Sequence, residues 1–475
     1  MATEETLFQT GGALSQSTAP EVDDELVDTP ITGLPLKDRD LPPVIREVVT
    51  NAPASRKLPA FIACLSPLCA LATRVRLDYC YDSRPSALLL QVLIEGAQSV
   101  GKSFAADIES LIMTSTLKLK DRQQRLLEQE YREKRRRRKA NEKLDEEPKT
   151  TIRVIPPTIS KTVLTKRADF YERILGDTLT FWMFAEELAQ VTDAGRQGYS
   201  NLRTIMRTAY DLGSYFGMDF ASDNSYSAIV DINICSMFCT TPSALDEYMD
   251  KKAIEGGNIT RCIPCSLDDA MGSDGAIFQP YTEEQMGIIR STLDKMMADT
   301  YNPDGTLAPT VTLDTSWLDK TVIHWCRAKG RLAAFNGSTA IDVFRKRSSV
   351  SAFRVAALCY YLYSLEGETG EEVRRRCRRI YLYMAEFILD GLISRWGKRF
   401  EEFNAKRNES FEDSRPQLFE QIPSEFTRDQ LRQLITDLGL ATPGRTFIYL
   451  WKRLKAIEEI EPNRYRKLLT TVRYH

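Results

Sequence analysis

A chain of 475 residues, 43% hydrophobic and 27% charged, is long enough for about two to four packed units and too apolar to be mainly disordered, collagen-like or a disulfide scaffold. Its 64 basic and 66 acidic residues leave a net charge of -2, so any contact with a polyanion has to come from local clustering of charge. The two histidines, His324 and His475, give Ser-His-Asp or Cys-His catalysis and multi-His metal sites almost nothing to use.

The ten cysteines are scattered, which fits a reducing cytoplasm better than a disulfide framework. The residues after Met1 are polar and acidic, unlike a secretory leader, and no apolar run approaches the roughly 18 residues of a membrane span. Neither secretion nor membrane insertion is expected.

Residues 1–40 carry nine acidic and two basic residues with no apolar period, and read as a disordered acidic tail. From Leu41 helical patterning begins, with Pro42 and Pro43 at a helix start. The run from Ala87 to Ile94 reads as a strand buried on both faces, as in a parallel sheet. The helix beginning near Gly101 continues into residues 118–149, which hold 13 basic and eight acidic residues and centre on Arg135–Lys139. This reads as a long exposed helical arm, either solvated, on nucleic acid phosphates, or against another subunit. Ser160 caps a helix to Leu175, Thr178–Phe184 is a second apolar strand, and a helix runs through Asn201 to Leu212. Alternation of this kind predicts an α/β core over residues 41–280. Within it, Ser214–Phe220 and Tyr226–Phe238 flank Ser222-Asp223-Asn224 and read as a hairpin. Residues 281–408 are patterned as a helical lid broken at Asn302–Ala308. Residues 409–475 form a separate unit, basic from Thr427 to His475, whose two helices, one capped by Thr427 and one after Pro443-Gly444, suggest a helix-turn-helix or winged-helix-like module.

The strongest local signal is Gly96-Ala97-Gln98-Ser99-Val100-Gly101-Lys102-Ser103, a full match to G-x-x-x-x-G-K-[ST] between a buried strand and a helix. In such a loop the backbone N–H groups and the helix N-terminus cradle phosphates. Lys102 neutralises the terminal phosphates, and the Ser103 hydroxyl is a ligand for Mg2+. ATP and Mg2+ are the implied cofactors. The strand Leu179–Ala185 delivers Glu186 and Glu187 to its C-terminal end, where ligands lie in open α/β sheets. Glu186 would share the Mg2+ and Glu187 would activate water, although a dipole-favoured helix start explains the same acids. Thr240 and Thr241, at the end of another strand, are candidates to sense the terminal phosphate or to cap a helix. Arg261 behind Gly256-Gly257 is a candidate arginine finger acting on a neighbouring subunit, and Arg354 a candidate nucleotide contact within its own subunit. Cys262 and Cys265 lack the further ligands of a zinc site and read as core thiols.

Leu41-Pro42-Pro43-Val44-Ile45, the phosphate loop, the charged arm after it, Phe184–Glu187, Thr241-Pro242-Ser243 and Gly257–Arg261 together resemble an uncharacterised P-loop ATPase family of bacterial integrative and conjugative elements. That family is similar to primase-associated, superfamily 3 or AAA+ replicative helicases, and the resemblance covers roughly residues 40–400. It implies a three-layer AAA+-like core, a homo-oligomeric ring and action on DNA, single-stranded DNA in particular, together with replication or mobile-element proteins. The hairpin around Asp223 and Asn224, with Lys251 and Lys252 nearby in sequence, would then be the pore element. The competing expectation is an ATP-gated switch or scaffold with slow hydrolysis and protein partners.

Overall fold

The computed structural model describes residues 37–138, 146–190, 192, 202–218, 226–250, 253, 254, 256–267, 275–404, 415–438, 444–453 and 455–469. Most of the acidic segment, Lys139, Asp223, Asn224, Lys251 and Lys252 lie outside the described residues.

Pro43 opens α1 (Pro43–Thr50), where proline gives up an N–H that has no helical partner anyway. In α2 (Lys57–Leu71) every residue from Pro59 onward is buried, as an all-round apolar helix demands. Then come β1 (Val75–Leu77), β2 (Ser86–Ala87) and β3 (Gln91–Glu95). The apolar run expected as one strand from Ala87 is therefore divided. Ala87 pairs with Arg76 of β1, the Leu89 N–H turns back to Ala87 O at 2.9 Å, and the main-sheet strand starts at Gln91.

α3 (Phe104–Met113) passes through a π turn, Thr114–Lys118, into α4 (Leu119–Arg137). The arm departs from the expected continuous helix over 118–149: α4 ends at Arg137, and residues 146–153 return beside it. Polar acceptors on one face of α4 dictate this. Asp121 accepts the N–H groups of Arg153 (2.9 Å) and Val154 (2.5 Å), Gln124 that of Thr151 (3.1 Å), and Glu128 binds Thr150 and Arg167 at 2.5 and 3.0 Å. A helix continued through Pro148 would break at the proline and leave these acceptors unmet.

Burial raises the Asp121 carboxyl from 3.8 to about 6 against the opposing pull of the Val154 N–H and the Arg153 charge. The folded chain thus keeps a proton at a pH where the unfolded chain has released it. This contribution to stability is full below about pH 4 and lost as pH rises through about 6. Asp121→Asn is expected to flatten the decline in unfolding free energy between those values, as measured by urea melts.

β4 (Val154–Ile155), α5 (Lys161–Leu175) capped by the Ser160 hydroxyl, β5 (Thr180–Ala185), α6 (Leu202–Thr208), β6 (Tyr215–Met218), β7 (Ala228–Asp231), β8 (Asn233–Thr240), α7 (Pro242–Tyr248) and β9 (Cys262–Ser266) complete the α/β part. Five strands form one parallel sheet in the order β4-β5-β8-β3-β9, while β6 and β7 form a separate antiparallel hairpin. The alternating run Ile229–Cys235 thus serves two sheets, with Ile232 between them.

α8 (Glu283–Ala298), β10 (Val311–Leu313), α9 (Asp319–Asn336), α10 (Thr339–Leu365) and α11 (Glu371–Leu392) follow, β10 pairing in parallel with β1. The patterning of this region is helical, and β10 is a strand it did not announce. The helices share one continuous apolar core with the sheet, from Leu41 to Trp396. At Gly391 of α11 a Cβ would lie 2.8 Å from Pro264 of β9, so that crossing admits only glycine without displacement.

The C-terminal part has its own core around Phe419, Phe426 and Trp451. It runs α12 (Arg415–Gln421), β11 (Glu425–Thr427), α13 (Arg428–Asp437), α14 (Gly444–Arg453), β12 (Ile457–Glu461) and β13 (Arg464–Lys467). Thr427 and Gln430 form a capping box for α13, and the three strands pair antiparallel in the order β11-β13-β12. Among the described residues no helix is long and apolar enough to cross a membrane.

Candidate functional site

The parallel register brings the C-terminal ends of β3, β5, β8 and β9 to one edge: Glu95 lies beside Thr240 and Ser266, and Ala185 beside Phe238. Ligands of open parallel sheets bind at this edge. The loop 96–103 springs from it. Gly96 donates its N–H to Thr240 O at 3.1 Å, and a Cβ there would stand 2.6 Å from Val100 Cγ1 and 3.2 Å from Leu267, so the loop closes on its own root only with glycine. Ser99 and Gly101 take positive φ values of 64° and 79°, which bend the loop before α3 begins.

Lys102 Nζ lies inside that bend, donating to Gly96 O at 2.8 Å and Ala97 O at 2.6 Å. Ser103 is exposed at the start of α3, and its hydroxyl makes no capping hydrogen bond. An ammonium enclosed by the bend and a hydroxyl at a helix N-terminus fit a nucleotide's phosphates and their Mg2+. Beneath the loop the buried Arg56 donates to Val100 O at 2.9 Å. Arg56 and the loop are 44 residues apart, and nothing in the local sequence links them.

Glu186 and Glu187 are both exposed just past β5, where the Leu188 N–H continues the sheet by donating to Cys239 O at 2.9 Å. Burial pushes the Cys239 thiol up to about 12, Lys102 draws it down and Glu186 adds to the rise. The charges of Lys102 and Glu186 therefore both reach Cys239, on the strand between theirs. That strand, β8, ends in Thr240, with Thr241 next. Thr240 Oγ1 donates to Thr241 O at 3.0 Å, and Thr241 Oγ1 accepts the Ala244 N–H at 3.4 Å, so of the two readings of Thr241 the structure supplies the helix cap.

An arginine that sequence patterning does not single out belongs to this edge. Arg395, in a π turn (Ile393–Gly397) after α11, bonds Glu95 at 3.1 Å and also reaches Pro242 O at 3.3 Å and Asp246 at 3.1 Å. Glu95 is the residue before the loop 96–103, so the ion pair ties the helical region to the loop's root. π turns of this kind are frequent at functional sites, but the partners lie 300 residues apart and no sequence spacing announces them.

Arg261 and Arg354 lie at the other end of the sheet. Arg261 precedes Cys262 of β9, the partner of Gln91 in β3, and is thus about 20 Å along the strand from Gly96. Arg354 donates to Leu89 O and Tyr210 O at 2.9 and 3.0 Å and packs on the Tyr210 ring. The expectation that Arg354 contacts the nucleotide of its own subunit is therefore dropped, since its guanidinium is committed before β3 begins. Arg261, Arg347 and Arg354 instead gather on the single carboxylate of Asp211, at 3.8, 3.5 and 3.6 Å. Arg261 also donates to Gly257 O at 2.9 Å, and the Nε atoms of Arg261 and Arg354 are buried without a hydrogen-bond partner. Burial first, and then the charge of Arg347, lowers the Arg261 pKa. Three guanidiniums around one acid leave a local surplus of positive charge that an incoming anion would relieve.

Cys262 and Cys265 are buried in β9, and among the described residues no group of three His, Cys, Asp or Glu side chains is placed to hold a metal ion. No protein-family model matches the chain, and no curated protein sequence matches it.

Proposed function

We propose that the chain is an ATP-dependent motor acting on DNA, a helicase or helicase loader serving replication or transfer of a mobile genetic element, and that it works as a homo-oligomeric ring. The observation that carries this reading is the loop 96–103, bent around Lys102 between a fully buried strand and a helix start, at the sheet edge where the strand that leads into Glu186 also ends. Gly96–Ser103 would hold the ATP phosphates, and Ser103 with Glu186 would hold the magnesium. When bound, the metal neutralises phosphate charge and polarises the terminal phosphoryl group. Glu187 is positioned to orient water, and Arg395 to couple the helical region to the loop's root. The strand order, with β8 between the loop strand and the acid-bearing strand, agrees with the AAA+-like core that the sequence resembles.

Three features support the finer parts of the proposal. The Arg261 cluster lies too far from the loop of its own chain to serve it, so its use requires a neighbouring copy. The β6–β7 hairpin, inserted between the acid-bearing strand and β8, exposes Tyr215 and Ile229 on its outer face, which suits stacking and apolar contact with the bases of a single strand. The order helix, strand, helix, helix, hairpin in the C-terminal part is compatible with the winged-helix-like module expected there.

One observation favours the switch or scaffold reading for that module. Arg464 and Arg466 on its hairpin are matched by Glu425, Glu458 and Glu461, which leaves little surplus charge for a phosphate backbone. The experiment is ATP turnover with and without single-stranded DNA. Several-fold stimulation is the expected result; turnover that DNA leaves unchanged, with partner capture that depends on ATP, would replace the motor by the switch.

A further inference from the structure

Charge on the arm is sorted by face. The acidic and amide side chains of Asp121, Gln124 and Glu128, spaced i, i+3 and i+7, turn toward the returning segment and Arg167, and are used there. Arg122, Arg125, Gln129, Arg132 and Arg136, spaced i, i+3, i+7, i+10 and i+14, form a second, adjacent stripe, and all five are exposed. Over 14 residues this stripe runs about 21 Å along a helix of about 28 Å, and it leads into the cationic end Lys134–Arg138. Its internal partners among the described residues are three: Arg125 donates to Val154 O, Gln129 donates to Glu133 at 3.3 Å, and Arg132 lies 3.4 Å from Glu128, whose charge Arg167 already meets. Glu130 lies off the stripe, while Glu133 flanks it, accepting from Gln129 at 3.3 Å and lying 3.9 Å from Arg137. Of the cations Lys134–Arg138 only Arg136 falls on this line, which sets four guanidiniums and one amide beside a neutralised docking face.

We propose that this stripe is a contact surface for the phosphate backbone of duplex nucleic acid, with DNA as the occupant. The proposal rests on the DNA-acting reading for the choice of polymer, and on charge complementarity for the surface. A straight line of four cations over about 21 Å is met best by a polyanion that stays straight over that length. A duplex does so, with a persistence length of about 50 nm, whereas a flexible single strand must be ordered to match it. Guanidiniums on phosphates read no bases, so the contact is independent of sequence. The arm would then hold the duplex while the central hairpin engages the separated strand.

The test is binding of the full chain to a fluorescent duplex of mixed sequence, followed by anisotropy across a KCl series. The comparison variant combines Arg122→Gln, Arg125→Gln, Arg132→Gln and Arg136→Gln, since glutamine keeps helix propensity while removing charge. Each phosphate that the arm no longer neutralises lowers the slope of log affinity against log salt by about 0.9, so a fall of about 3 to 4 is expected, with binding weakened more than tenfold at low salt and ATP affinity unchanged. A second variant, Glu130→Gln with Glu133→Gln, touches none of the inward hydrogen bonds and is expected to tighten duplex binding. An unaltered slope in the four-site variant, with an unchanged melting temperature, overturns the proposal. So does loss of self-association with the slope retained, which would assign the stripe to another copy of the chain. Failure of the motor reading appears separately, as turnover that ignores DNA while the arm variant still loses its salt slope.

Discussion

Lys102→Ala is expected to cut ATP turnover by at least about 10²–10³, while the protein melts at the temperature of the parent. The lysine makes no contribution to the apolar core. Its ammonium is held over Gly96 O and Ala97 O, inside the bend that Ser99 and Gly101 create. A cation held there before ligand arrives needs little reorganisation to meet charge developing on a terminal phosphoryl group, which is where preorganised electrostatics act most strongly. Glu187→Gln gives the informative contrast. It keeps the shape of the β5 edge and the charge of Lys102, so ATP should still bind with near-parent affinity while hydrolysis falls by about 10²–10⁴ if the carboxylate is the base. Equilibrium binding of a fluorescent ATP analogue and phosphate release, measured on the same preparations, separate the two variants. Parent-level turnover in Lys102→Ala would remove the phosphate loop from the chemistry.

What is legible in the sequence and what is not divides along the range of the interactions. The loop 96–103, the Ser160 and Thr427 caps and the acids after β5 are set by neighbours within a few residues, and short spacing carries them. Arg395 on Glu95 joins residues 300 positions apart, and Arg56 under Val100 joins residues 44 apart, so no local pattern could place either beside the loop. The arm's reversal is hidden for a related reason. Residues 118–149 have unbroken helical composition up to Pro148, yet the hydrogen-bond acceptors of Asp121, Gln124 and Glu128 are met by a returning chain, which outweighs propensity. The two short strands of the terminal hairpin, rich in Glu, Arg and Lys, carry only a faint apolar alternation, too weak to announce strands. Arg354 shows the converse error. It is an arginine on an apolar helix, the pattern of a group reaching for a ligand, and its ligands are the backbone carbonyls of Leu89 and Tyr210.

Arg261→Ala is expected to lower turnover by about 10³ or more without altering ATP affinity, and its position makes a sharper test possible. The side chain starts just before the N-terminal end of β9, about 20 Å along the sheet from Gly96, so it cannot assist the loop of its own chain without unravelling the β3–β9 register. In the isolated subunit Asp211 holds it together with Arg347 and Arg354, and this shared carboxylate keeps an excess of guanidinium charge ready for a stronger anion. A triphosphate carried by a neighbouring copy is such an anion. If sites are shared in this way, a chain lacking Lys102 can still donate Arg261, and a chain lacking Arg261 can still donate Lys102. Mixing inactive Lys102→Ala with inactive Arg261→Ala should therefore restore part of the turnover, up to about a quarter of the parent rate when subunits assort at random and each interface acts independently. That fraction follows from equal mixing, in which about one interface in four pairs an intact loop with an intact arginine. Asp211→Asn supplies the control on the same cluster: it frees the arginines from their internal anion, and is expected to leave the loop's ATP affinity unchanged while shifting how readily the copies associate. Mixtures that stay inactive although native mass spectrometry detects mixed oligomers would confine Arg261 to holding Asp211 and the start of β9.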